Sequence, residues 1–116
     1  MGVYDGIQLL RKRQAKLSIV PLAMDARILD YDNLPKPGYN GIRVEINDEL
    51  SEEEQVKSLI HEALHCGNPY NFLPMRSLSK GEYGRIEREI DELTEQVYSC
   101  QPMLISWLRS KIKQNT

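Results

Sequence analysis

SEEEQVKSLIHEALHCGN, residues 51–68, is the stretch on which the fold turns. Ser51 is followed three residues on by Glu54, a capping box that satisfies orphan backbone N–H groups at a helix start. Glu52, Glu53 and Glu54 put negative charge in the first turn, where the helix dipole favours it. Val56, Leu59, Ile60, Ala63 and Leu64 recur at helical spacing, and Gly67 suits the position just past the end. The pattern predicts a helix over 52–66 with one face in a core. That helix carries His61 and His65, the two histidines of the chain. Four residues apart, they project from the same side about one turn from each other.

Two imidazoles so placed can bind one tetrahedral zinc ion at about 2.0 to 2.1 Å each. Glu62 lies about 100° further round the helix, where its carboxylate reaches water at the metal without being a ligand. Two ligands and a general base on one turn is the HExxH pattern of zinc peptidases. His61 and His65 are therefore expected to hold one Zn2+ per chain, with Glu62 as the catalytic base. A catalytic zinc usually takes three protein ligands and leaves a fourth position for water. The longer HExxHxxGxxH form is excluded, because Asn68 and Asn71 stand where it needs Gly and the last His. Cys66 adjoins His65 but points about 100° away, and is expected to be a small buried hydrophobe.

The third ligand is expected from the next helix. Ser79 and Glu82 form a second capping box, opening a long helix to about Ser99 (79–100 with its caps) with the stripe Ile86, Ile90, Leu93 and Val97. At about 100° per residue, Glu89 lies about 70° from the centre of that stripe, Glu87 about 90°, Asp91 and Glu92 about 130°, and Glu95 about 170°. Glu82 is nearer but is used by the cap. Burying a carboxylate is costly unless something charged neutralises it, as zinc would. Glu89 is thus the expected third ligand, with Glu92 and Glu87 behind it. Pro102 suits the first turn of a last helix (102–114) with Leu104, Trp107, Leu108 and Ile112 on one face. That helix is expected to pack on the domain; the alternative is that it covers the cleft as a latent form or docks a partner. Tyr70 and Tyr83 lie near the site in sequence and are expected to pack; no residue is selected for substrate binding.

Upstream, Ile42, Val44 and Ile46 alternate with Arg43, Glu45 and Asn47, the period of a half-buried strand. It is a sheet strand first, and could also pair with an extended substrate. Residues 32–41 are dense in Pro, Gly, Asn and Asp and form a loop, as do 68–78. Residues 17–30 are apolar and partly β-branched but interrupted by Pro21, so two short strands fit best. Residues 4–16 read as a short amphipathic helix within an N-terminal segment 1–16. A half-buried strand running into an HExxH helix is the zincin arrangement. The expected fold is α+β: one small zincin-like domain over 1–116, with a short antiparallel or mixed sheet (within 17–50) packed on the active-site helix (51–67) and on a second, ligand-bearing long helix.

The chain has 116 residues, 41% of them hydrophobic, enough for one core. A formal net charge of −2 and a pI near 5.7 give no global basic field for direct nucleic-acid binding. Arg11, Lys12, Arg13 and Lys16 cluster locally and are expected to be a solvated helix face. Cys66 and Cys100 are too few for a disulfide framework, which suits reduced thiols in a cytoplasmic protein. No apolar run approaches the roughly 20 residues of a membrane helix, and no secretory leader pattern opens the chain.

From about residue 17 to 100 the chain resembles the ImmA/IrrE type of metallopeptidase. The resemblance rests on the Pro/Gly-rich loop, the strand GIRVEIN (41–47), HEALH (61–65) and EREIDELTEQV (87–97). In that family a segment of the form E-A-N/D-x-F-A supplies the third ligand from its leading Glu. Laid on Glu89-Ile90-Asp91-Glu92-Leu93-Thr94, it also implies Glu89. Leu64 stands where the family often has Gly, and Ile90, Leu93 and Thr94 replace Ala, Phe and Ala. The resemblance implies a protein substrate, such as a phage or mobile-element repressor with a helix-turn-helix domain, that is cleaved or inactivated. Two other functions fit the same residues: a minimal gluzincin with a self-inhibiting C-terminal tail, and a zinc-stabilised regulatory module that binds without cutting.

Overall fold

The computed structural model describes residues 2–33, 36–71 and 75–116, and for Arg76 only the backbone. Parts of both loops, 34–35 and 72–74, therefore lie outside the described residues, as does Met1. The elements run α1 (Gly2–Lys12), β1 (Lys16–Val20), β2 (Ala26–Asp30), β3 (Ile42–Asn47), α2 (Glu52–Cys66), a 3-10 turn (Met75–Ser77), α3 (Lys80–Cys100) and α4 (Pro102–Lys113). This is an α+β fold with four helices and a three-stranded mixed sheet. None of the described helices is long and apolar enough to cross a membrane.

The serine caps at Ser51 and Ser79 form, but among the described hydrogen bonds neither Glu54 nor Glu82 closes the expected box onto the serine's backbone N–H. Ser51 Oγ accepts the Glu54 N–H at 3.2 Å and donates its hydroxyl to Glu54 Oε1 at 3.0 Å. Ser79 Oγ accepts the Glu82 N–H at 3.2 Å. Pro21 follows directly on β1, and β2 begins at Ala26, so the apolar stretch divides as expected. The first helix ends earlier than expected, at Lys12. Gln14 adopts φ 51°, a left-handed turn that stops the helix and sends the chain into β1.

The sheet order is β1-β3-β2, with β1 parallel and β2 antiparallel to β3. β3 is therefore the central strand. Both of its edges are paired, so Ile42–Asn47 has none left for an added strand. Among the described residues, the free edges belong to β1 and β2. Central placement also buries more of β3 than simple alternation implies: Ile42, Val44 and Ile46 lie in the core, and Glu45 is 7% exposed. Glu45 faces Arg27 across the β2–β3 pair, with Arg27 Nε 2.6 Å from Glu45 Oε1. Removing the guanidinium leaves a buried carboxylate unpaired, although Arg27 is itself nearly half exposed and solvent screens part of the loss. Arg27→Met is expected to cost about 1–2 kcal/mol, with a melting temperature roughly 4–8 °C lower. Adding Glu45→Leu should restore most of it; an unchanged melting temperature in Arg27→Met would count against the pair.

α2 is the hub, packing against α1, α3, α4, β2 and β3. Val3, Ile46, Val56, Ile60 and Ile90 are the largest fully buried side chains and come from four different elements. α4 contributes Leu104, Ile105, Leu108 and Ile112 to the core, while Trp107 stays at the surface. Gly67 caps α2 in an extended conformation (φ −99°, ψ 161°), not a left-handed one. It is placed by close packing: a Cβ there would strike the Gly2 carbonyl oxygen of α1.

Candidate metal centre

His61 and His65 leave α2 on one side, as their spacing requires, and that side faces α3. Their Nε2 atoms stand 3.2 Å apart. The Glu87 carboxylate of α3 spans them, with Oε2 3.0 Å from His61 Nε2 and Oε1 2.8 Å from His65 Nε2. One donor atom from each of His61, His65 and Glu87 lies within 4.8 Å of the others. Two nitrogens bound at about 2.0–2.1 Å to a tetrahedral ion stand about 3.3 Å apart, so the observed separation fits one zinc ion.

Proton accounting is compatible with a cation between these groups. His61 Nδ1 lies 2.9 Å from Asp91 Oδ1 and donates to it. A neutral His61 in that tautomer turns its Nε2 lone pair toward the Glu87 carboxylate, and two lone-pair atoms at that distance repel. Positive charge between them removes the conflict, whether a second proton on the ring or a metal ion. Burial holds His65 below the usual imidazole pKa, against the pull of Glu87. A neutral imidazole is the form that ligates metal.

The carboxylate brought to the histidines is that of Glu87 and not of Glu89. Glu89 instead accepts the Tyr70 hydroxyl at 3.0 Å and Arg85 Nη1 at 2.8 Å. The reason is the sign of the helical angle. Glu87 and Asp91 lie about 90° and 130° to one side of the apolar stripe, Glu89 and Glu92 about 70° and 130° to the other. α2 packs on the Glu87 side. Distance from the stripe ranks Glu89 first; the side of the stripe decides, and only packing reveals it. Asp91 joins Glu87 at the histidines. The sequence carries a signal for it: Glu87 and Asp91 are four apart, as His61 and His65 are, so two such pairs face each other. An orienting carboxylate behind a ligand His typically changes metal affinity about 10–100-fold, and Asp91→Asn is expected to weaken zinc binding by that amount without unfolding the chain. Unchanged affinity in a competition titration would remove Asp91 from the centre.

The histidines open on a cleft of about 870 Å3 between β2, α2 and α3. Glu62 lines it, half-buried. Burial pushes the Glu62 carboxyl up to about 7, with the Glu87 charge adding to the rise and His61 opposing it. That range suits a base that must take and return a proton. Tyr83, one turn before Glu87, lines the same cleft, whereas Tyr70 is engaged by Glu89. Ala26, Arg27 and Ile28 of β2 form the opposite wall, and β2 pairs with β3 alone among the described residues. No α4 residue lines the cleft. Burial, with Glu62 and Asp30 adding, pushes the Cys66 thiol up to about 12, so it remains a thiol packed against the core. No protein-family model, curated protein or solved structure matches the chain.

Proposed function

We propose that the chain is a zinc-dependent endopeptidase of zincin-like build. The observation that carries this reading is the convergence of His61 Nε2, His65 Nε2 and the Glu87 carboxylate, with Glu62 in the same cleft. His61, His65 and Glu87 would hold the ion. When bound, zinc supplies Lewis acidity to a scissile carbonyl and acidifies water toward pKa ~7. Glu62 takes a proton from the attacking water at its carboxylate and delivers it to the leaving amine. Asp91 fixes the tautomer and orientation of His61 through Nδ1. The edge of β2 that is unpaired among the described residues would offer backbone hydrogen bonds to an extended substrate segment.

The resemblance to ImmA/IrrE peptidases supports a narrow substrate, a cytoplasmic regulatory protein such as a phage or mobile-element repressor with a helix-turn-helix domain. The chain brings no basic field of its own, so DNA recognition belongs to that partner. The seating of α4 in the core favours this over a self-inhibiting tail.

The test pairs metal content with cleavage. The purified chain should carry one zinc, and a chelator or His65→Ala should remove it. Cleavage of the co-expressed repressor should fall at least about 100-fold in Glu62→Gln, with zinc content unchanged. Repressor inactivation that survives Glu62→Gln makes the chain a non-cleaving binder, and a folded chain with no zinc affinity overturns the reading altogether.

A further inference from the structure

On the far side of α2 from the cleft, α1, β1 and α4 enclose a second groove of about 530 Å3. Its deepest lining residues, Val44, Leu59, Ala63 and Leu108, are apolar and buried, and Ile7 and Leu17 extend the apolar wall. The charged side chains lining it are Arg11, Lys16 and Lys111, all basic. Trp107, the one tryptophan of the chain, stands among them, with Arg11 6.0 Å and Lys111 5.3 Å from its ring centroid.

Arg13 reaches Asp30 and Asp32, Arg27 reaches Glu45, Lys57 reaches Glu53 and Glu95, Arg85 reaches Glu89, and Arg109 reaches Glu52. Among the described residues, Arg11, Lys16 and Lys111 have no acidic partner within 4.0 Å. Cations without an acidic partner also occur elsewhere among the described residues (Lys12, Lys36, Arg43, Lys80, Arg88 and Lys113); what marks this groove is that three of them meet on one apolar trough with no acid in its lining. The basic cluster near the N-terminus thus splits: Arg13, just past α1, reaches the end of β2, Lys12 is exposed, and Arg11 and Lys16 turn to the groove. Three cations around an apolar trough repel one another, and the trough faces water. One ligand offsets both costs: an apolar chain along the trough with an anionic head among the cations. The volume lies within the roughly 300–1,000 Å3 of small-molecule sites.

We infer that this groove binds an amphiphilic carboxylate, a single fatty-acyl-like chain carrying one anionic head. The site is independent of the zinc chemistry, although Leu59 and Ala63 in its floor belong to the helix that carries the histidines. Decanoate, below its micelle-forming concentration, is the probe, and Trp107 emission is the readout. Decanoate should give a saturable emission change, with decan-1-ol and decyltrimethylammonium binding at least about fivefold more weakly. Arg11→Gln combined with Lys111→Gln should weaken decanoate by about tenfold, and Lys12→Gln, an exposed lysine outside the groove, should leave it unchanged. Circular dichroism of each variant verifies folding. The inference is overturned if decanoate produces no saturable change, if the cationic amphiphile binds as well, if only anionic vesicles produce a response, or if the emission change instead follows self-association of the chain.

Discussion

Glu87→Gln is expected to strip the chain of stoichiometric zinc, and Glu89→Gln to leave it in place. The two residues are two positions apart on one helix and share a charge and a side chain, so the pair isolates geometry. Zinc binding in small protein sites is worth on the order of 12 kcal/mol, and an even share for one of three ligands is about 4 kcal/mol, or about 1,000-fold in affinity. Glu87 spans both Nε2 atoms at 2.8 and 3.0 Å and is expected to carry that share. Glu89 makes a surface pair with Arg85 and accepts from Tyr70, and its side chain is 42% exposed. Its replacement should change zinc affinity less than about threefold, since such exposed pairs are worth at most about 1 kcal/mol and touch nothing in the centre. A chromophoric chelator in competition at neutral pH reads both. Loss of zinc in Glu89→Gln with retention in Glu87→Gln would transfer the ligand role back to Glu89 and imply a rotation of α3 when metal binds.

Much of this centre can be read from residues 51–68 alone, because a helical turn fixes the relation of His61, Glu62 and His65 whatever surrounds them. What local spacing cannot supply is a partner from another element. Periodicity gives the angle of Glu87 or Glu89 from the apolar stripe, but the helix that covers one flank is a tertiary fact. The same limit explains β3. Alternation identifies a strand, yet whether it is central or at an edge depends on where β1 and β2 dock, and that decides that Glu45 is buried and that β2 borders the cleft. Trp107 shares a helix face with Leu104 and Leu108, but α4 rolls so that Ile105 goes inward and the indole remains at the groove mouth. Gly67 ends α2 for a reason other than the usual one: a helix end invites glycine for a left-handed turn, whereas here the neighbouring backbone leaves no room for a side chain.

That close approach predicts an inverted sign. Alanine is about 1 kcal/mol better than glycine within a helix, so propensity alone makes Gly6→Ala in α1 a stabilising change. The structure makes it strongly destabilising. A Cβ on Gly6 would collide with the Ala63 carbonyl oxygen of α2, and the obstacle is backbone, which no rotamer change can move aside. Gly2 and Gly6 on α1 face Ala63, Gly67 and Asn68, so two residues four apart on each helix let the backbones touch. Relief requires α1 to lift from the end of α2 that carries His65, exposing Val3 and Leu10. Gly6→Ala is expected to cost about 3 kcal/mol, a large part of the roughly 5–15 kcal/mol that holds a domain of this size, with a melting temperature about 10 °C lower or more. Gly81→Ala is the control. It lies in the first turn of α3, and a Cβ there meets nothing within 4 Å. The same substitution should therefore leave stability unchanged or raise it by up to about 1 kcal/mol. Thermal denaturation of both apo-proteins reads the difference without any metal contribution. If Gly6→Ala melts as high as the parent, α1 does not lie against α2 at this distance, and the brace holding the histidine-bearing turn must be sought in α3 and α4 instead.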